Sequence, residues 1–369
     1  MKQRHVALLG AASSIHLQRW AAALSARDWR VSLITQHAAD AVPLPEAVRL
    51  YSLPRRGELG YFLNVPALKA LLRRLRPDLL NAHYASGYGS TAALSGFAPT
   101  LLSVWGSDVY DFPYESAAKG WLVRRNLRQA TSIASTSEAM ARQVRRLVPT
   151  LGEIAITPFG VQMDRFDAKP ERRAGSALVI GTVKTLAPKY GIDLLLRAFA
   201  GLLDDADMRA APLTCRLLIV GDGPQRAELA KLADDLGIAS LTEFAGTVKH
   251  DQVPAQLHRL DIYAAASRLD SESFGVAVVE ASACGLPVVV SDAGGLPEVV
   301  LDGETGLVVP RNDVHALQAA LKRLVFDESL RDRLGRAGRV RVGRAYEWEH
   351  CVESMERCYE RTIAQGAQQ

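Results

Sequence analysis

Short apolar runs alternate with amphipathic stretches along almost the whole chain, and few folds accommodate that pattern. Residues 6–10 read as a strand and 15–27 as a helix. Residues 31–35, 79–82, 100–104, 132–135 and 154–157 read as further strands, with helical periodicity over 65–75 and 138–147 between them. The strand runs are almost continuously apolar, as in sheets covered on both faces, so the alternation predicts βαβ units and a parallel sheet. The pattern breaks at 158–175, a polar stretch with two prolines and no period, which reads as an interdomain linker. It restarts with strands at 177–183, 216–220, 241–245, 261–264 and 288–291. Helices are expected at 192–203, 224–236 and 275–284, and three more close the chain at 313–326, 328–342 and 346–364. The expected fold class is α/β, with two facing Rossmann-like, doubly wound parallel-sheet domains and a cleft where the strand C-terminal ends meet.

A length of 369 residues, 48% of them apolar and 23% charged, provides cores for two such domains. No apolar run approaches the length that crosses a membrane. The start, residues 1–10, reads as a first strand rather than a secretion signal. Cys215, Cys284, Cys351 and Cys358 show neither CxxC spacing nor pairing with histidine, which suits reduced thiols in a cytoplasmic protein. Residues 1–165 carry 20 Lys and Arg against 11 Asp and Glu, although the whole chain has a formal charge of only +4. Arg73, Arg74 and Arg76, Arg124, Arg125 and Arg128, and Arg142, Arg145 and Arg146 form clusters. They read either as a solvated face or as a surface for anionic lipid headgroups or a phosphate-bearing acceptor. Few aromatics and no nucleic-acid motif argue against nucleic acid.

The run Asp270-Ser-Glu-Ser-Phe-Gly-Val-Ala-Val-Val-Glu280 carries most of the functional information. A polar loop ends at Phe274-Gly275 and an apolar helix follows, stopped by Gly285 and Pro287. Glu272 then lies before the helix and Glu280 about one and a half turns inside it, at levels roughly 7 to 8 Å apart. Two carboxylates attacking one anomeric carbon must converge on a single bond. Carboxylates at two depths suit two polar groups of one elongated ligand whose anion rests on the helix start between them. A nucleotide sugar has that shape, with a hexose, a diphosphate and a ribose diol in line.

Other strand-end segments fall on the same side. Lys184 and Lys189 follow the first strand of the second half, where two ammonium groups suit a diphosphate gaining charge. Gly221-Asp-Gly-Pro224 is a tight turn after a buried strand, either shaping the floor of the site or purely structural. Gly10-Ala-Ala-Ser-Ser-Ile-His16 opens the first helix without the GxGxxG fingerprint. There Ser14 and His16 can face the cleft, or His16 can cap its own helix. His83 and Asp108 sit at strand ends as groups that could grip an acceptor. No clustered Asp/His ligand set appears, so no metal is expected.

Together these residues resemble family 4 of the retaining glycosyltransferases, with its two-Rossmann-domain GT-B fold. The match is strongest from Gly181 to Pro310, through Lys184, Lys189-Tyr-Gly, Val220-Gly-Asp-Gly-Pro224, Phe244-Ala-Gly246, Ser271-Glu-Ser-Phe-Gly-Val, Glu280, Gly285-Leu-Pro-Val and Gly303-Glu-Thr-Gly-Leu307. The resemblance implies an acceptor domain at 1–165, a donor domain at 176–345 and a C-terminal helix, 346–369, crossing back to the first domain. It implies that Glu272, Ser273, Phe274 and Gly275 hold the donor sugar and Glu280 the ribose. It gives the diphosphate to Lys184 and Lys189, and the base pocket to Val248 and Lys249, with Gly221 and Gly223 beneath. Trp105 stands where many relatives have His, which leaves Asp108 as an acceptor-side group.

The expected activity is transfer of a hexose from a UDP-sugar or GDP-sugar to a hydroxyl, with retained configuration. The basic first half favours a lipid-linked glycan of bacterial envelope polysaccharide synthesis, in the cytoplasm or on the inner membrane face. A sugar-nucleotide epimerase, a phosphorylase or a non-catalytic nucleotide-sugar-binding module are the alternatives.

Overall fold

The computed structural model describes residues 3–38, 43–168 and 177–367, so residues 169–175 of the expected linker lie outside the described residues. The chain forms two compact units, Met1–Phe159 with Glu349–Gln369, and Gly160–Trp348. Among the described residues the first unit contains β1 (His5–Leu9), β2 (Arg30–Thr35), β3 (Val48–Ser52), β4 (Leu79–His83), β5 (Thr100–Val104), β6 (Ser132–Ser135) and β7 (Ile154–Ile156). They form one parallel sheet in the order β3-β2-β1-β4-β5-β6-β7. β1, β4 and β5 are buried along their whole length, which explains their unbroken apolar character.

The second unit contains β8 (Leu178–Val183), β9 (Cys215–Val220), β10 (Thr242–Gly246), β11 (Ile262–Ala265), β12 (Val288–Ser291) and β13 (Leu307–Val309). These too are parallel, in the order β10-β9-β8-β11-β12-β13. Leu195, Leu196, Phe199 and Leu202 of the helix Ile192–Asp204 pack into the same core as Leu217 and Ile219 of β9 and Leu321 and Leu324 of the helix Val314–Phe326. In each sheet the strand order reverses once, between β1 and β4 and between β8 and β11. Connections leaving the two strands at such a point run to opposite faces of the sheet and open a crevice at their C-terminal ends.

The described part of the expected linker is packed rather than free. Phe159, Val161 and Phe166 are buried, the Val161 amide donates to Tyr346 O at 2.8 Å, and the Trp348 amide donates to Val161 O at 2.9 Å. Isolated apolar residues among polar ones leave no period to read, although each finds a core. Within the first unit, the last helix (Trp348–Gly366) is fastened through Tyr359, whose hydroxyl donates to Asn81 Oδ1 at 2.8 Å. Arg27 also pairs with Glu356 at 2.7 Å. All four cysteines are buried thiols.

Candidate functional site

The reversal between β8 and β11 places the two segments singled out above side by side. Lys184 follows β8, and Ser267 and Glu272 follow β11. Lys184 Nζ donates to both oxygens of Glu272 at 2.9 Å, and Ser267 Oγ donates to Glu272 Oε2 at 3.2 Å. Glu272 is 7% exposed. Burial pushes the Lys184 ammonium towards neutrality, and the Glu272 carboxylate more than reverses this, so its pKa stands above that of a free lysine. The Tyr190 ring lies 4.7 Å from Lys184 Nζ and 4.8 Å from Lys189 Nζ. A ring face holds an ammonium without neutralising it, and no carboxylate among the described residues pairs with Lys189. One charge of the pair is thus internally compensated, and the other remains available to an anion.

Glycines set the backbone around this pair. Gly221 has φ +134°, and a Cβ there would lie 1.9 Å from Lys184 O; at Gly223 a Cβ would lie 2.5 Å from Leu186 O. These glycines therefore seat the Lys184 loop, which is tied to the turn by Lys184 N to Val220 O at 2.9 Å and Leu186 N to Asp222 O at 3.0 Å. On the other side, the Gly295 amide donates to Glu272 O at 3.0 Å, and a Cβ on Gly294 would lie 2.2 Å from that same oxygen. Gly294→Ala should therefore destabilise the protein by about 1–3 kcal/mol and lower activity with it. Thermal unfolding with parallel rate measurements checks this; an unchanged melting temperature contradicts it.

The helix Val276–Ala283 begins immediately after this loop, with Gly275 preceding it. Its N-terminus carries the positive end of the helix dipole, and its first amides have no carbonyl partner inside the helix. Ser273 and Phe274 are buried beside it, and the Phe274 ring meets Tyr346 edge-on at 5.3 Å. Ser271 Oγ is buried with no hydrogen-bond partner among the described residues. Glu280 lies deeper in the helix, 5% exposed, and its Oε1 is 2.8 Å from His250 Nε2. His250 opens a short turn directly after Val248, which is half-buried, and Lys249, which is exposed.

In the first unit the equivalent reversal, between β1 and β4, gathers aromatic side chains. The His16 ring stacks on Phe159 at 4.1 Å, and Trp105 approaches His16 at 5.9 Å, His83 at 4.9 Å, Tyr84 at 5.2 Å and Phe159 at 5.4 Å. His83 ends β4, is 1% exposed, and neither ring nitrogen has a hydrogen-bond partner among the described residues. Burial lowers its pKa to about 3, so the ring is neutral at pH 7. Tyr84, the next residue, has φ +71°, a strained backbone for a bulky residue. Ser14 precedes the first helix and is half-buried, with no capping bond from its side chain. Asp108 points inward: its carboxylate accepts from the amides of Ala85 at 2.7 Å, Gly106 at 2.8 Å and Trp105 at 3.1 Å. Burial raises the Asp108 pKa and the three amides draw it back. Asp108 thus clasps the Trp105 turn to the end of β4. Among the described residues no group of three or more His, Cys, Asp or Glu side chains converges.

Residues 5–137 match the family described as Glycosyl transferase 4-like, and residues 164–341 that described as Glycosyl transferases group 1. A GDP-mannose-dependent alpha-(1-6)-phosphatidylinositol monomannoside mannosyltransferase of Mycolicibacterium smegmatis is 35% identical over 250 residues, 62% of this chain and 64% of that protein. A protein of the same name from Mycobacterium tuberculosis is 31% identical over 281 residues, 70% of this chain and 68% of that one. This chain belongs to the family 4 glycosyltransferases. Its two parallel-sheet domains are those of the GT-B class. Sucrose-phosphate synthase from Thermosynechococcus elongatus shares the fold, with a TM-score of 0.83 over 98% of this chain and 99% of that one at 22% identity.

Several residues gathered around this candidate site carry no sequence signal of their own. Tyr190 follows Lys189 directly, and Ser271 precedes Glu272, so both lay inside segments already singled out. His250 lies one position past the stretch assigned to the base pocket. Ser267 offered no signal, since it reaches Glu272 only through the path of the loop after β11.

Proposed function

We propose that this glycosyltransferase moves a hexose from a nucleoside diphosphate sugar to a hydroxyl of a glycolipid, with retention at the anomeric carbon. The observation that carries this reading is the buried Lys184–Glu272 pair beside the start of the helix Val276–Ala283. The diphosphate lies on the helix start with Lys189 and Lys184 against it. Glu272 and the backbone at Phe274-Gly275 face the sugar hydroxyls, and Glu280 takes the ribose. The bond from the anomeric carbon to the phosphate oxygen breaks as the acceptor oxygen bonds to that carbon on the same face. The acceptor's proton passes to the departing phosphate oxygen. The main task of the protein is then to stabilise negative charge growing on the leaving group, which fixed ammonium groups and helix amides do without reorganising.

GDP-mannose is the first donor to test, because the relatives' names specify it. GDP should appear only when acceptor is present, and the product's anomeric configuration, read by NMR, should match the donor's. Inverted product removes the retaining mechanism, and conversion of donor without acceptor removes transfer. Glu280→Gln should weaken nucleotide affinity by about 1 to 3 kcal/mol through loss of a charged hydrogen bond. Calorimetry with GDP checks this, and unchanged affinity contradicts it.

The acceptor side falls to Ser14, His16 and His83 with the rings around Trp105, Asp108 holding that turn in place. A membrane-borne acceptor is favoured by the helix Ala117–Gln129, where exposed Trp121 neighbours Arg124, Arg125 and Arg128. Among the described residues no helix is long and apolar enough to cross a membrane, so binding would be peripheral. The protein should float with liposomes containing anionic lipid at low salt and release them as salt is raised. Failure to float at low salt contradicts it.

A further inference from the structure

We propose that His250 is a positioning residue for ribose recognition, fixing the Glu280 carboxylate so that one oxygen faces the diol of the bound nucleotide. The inference rests on the donor-site reading above and adds to it the group that orients Glu280. Glu280 is 5% exposed on the second turn of the helix Val276–Ala283. Its Oε1 is 2.8 Å from His250 Nε2, and no other hydrogen bond from a described residue reaches the carboxylate. A carboxylate oxygen accepts and an imidazole N–H donates, so Nε2–H of His250 is the donor of this bond. A carboxylate has room for several donors. With Oε1 taken, Oε2 remains for the O–H groups of a ribose.

The imidazole has an aromatic neighbour and sits on a closed turn. It lies 5.9 Å from the buried Phe166 ring, and its own turn is closed by the Lys249 amide donating to the Gln252 side chain at 3.3 Å. The bond joins the segment that follows β10 to the helix Val276–Ala283. The two segments expected to meet the base and the phosphates thus share one hydrogen bond at the level of the sugar. Without His250, Glu280 is free to rotate about its side-chain torsions, and the diol must order it at the cost of affinity. The loss then falls on nucleotides that offer the diol and spares those that do not.

The test compares calorimetric affinities for GDP and UDP with those for dGDP and dUDP, in the intact protein and its variants. The unsubstituted protein should favour the ribonucleotide over its 2′-deoxy counterpart by about tenfold, the scale of one hydrogen bond to a charged group. His250→Ala should reduce that ratio to about two, with deoxynucleotide affinity unchanged within about twofold. His250→Gln, which keeps an N–H donor, should restore most of the ratio. His250→Ala should raise KM for the donor while kcat at saturation is kept. Equal weakening for both nucleotide types, or a ratio unmoved in His250→Ala, overturns the inference. Glu280→Gln separates the two levels. If it abolishes the ratio while His250→Ala leaves it intact, only the role of His250 fails. If it too leaves the ratio intact, the ribose assignment itself fails. Retained deoxynucleotide binding shows in each case that the variant is folded.

Discussion

Glu272→Gln should lower kcat by about 10²- to 10³-fold, the usual cost of removing one preorganised charged group, while nucleotide affinity stays close to that of the unsubstituted protein. Gln is nearly isosteric, so the packing of the loop between Leu269 and Gly295 survives. What it removes is the charge to which Lys184 is bound at both oxygens, at 2.9 Å. In the native site that charge fixes the ammonium in one place, and in the proposed assignment the carboxylate also meets the donor sugar. With Gln the sugar loses a charge-assisted partner and Lys184 loses its anchor. The diphosphate, assigned in the proposed reading also to Lys189 and the helix start, should still bind. Steady-state kinetics with calorimetry separates the two effects. A large fall in affinity at unchanged kcat would move Glu272 from the sugar to the nucleotide.

Lys184→Ala should have the largest effect on stability. It leaves the Glu272 carboxylate, 7% exposed, with the Ser267 hydroxyl as its only side-chain donor among the described residues. Breaking a buried pair from one side costs about 3 kcal/mol or more, which lowers the melting temperature by roughly 6 to 12 °C for a domain of this size. Turnover should fall with it, because Lys184 is one of the two ammonium groups proposed to meet the leaving diphosphate. Combining Lys184→Ala with Glu272→Gln should recover most of the stability, since the orphaned charge is gone, and none of the turnover. That non-additivity identifies a coupled pair. Additive losses in the double variant would mean that the two side chains act separately.

The strands that position the site were legible because they are buried on both faces. β1, β4 and β5 are wholly buried and read as continuous apolar runs. The edge strand β3, with Arg49, Leu50 and Ser52 exposed, and the three-residue β13 left no comparable signal. The helix Gly87–Ser95 was missed because its glycines and serines favour turns, and it is stabilised by burial instead.

At the site, residue types and strand-end positions were readable, but partnerships were not. Lys184 and Glu272 are 88 positions apart and His250 and Glu280 are 30 apart, and only the strand order brings each pair together. Asp108 was legible as a buried-strand-end carboxylate. Its engagement by three backbone amides depends on the path of the chain at Ala85 and Trp105, which side-chain pattern does not encode.

A crystal structure with GDP or UDP bound tests the assignment most directly. The pyrophosphate should lie within hydrogen-bonding distance of the first amides of the helix Val276–Ala283 and beside Lys189, with the ribose hydroxyls on Glu280. Nucleotide bound elsewhere, or with its ribose away from Glu280 and its phosphates away from that helix, would contradict it.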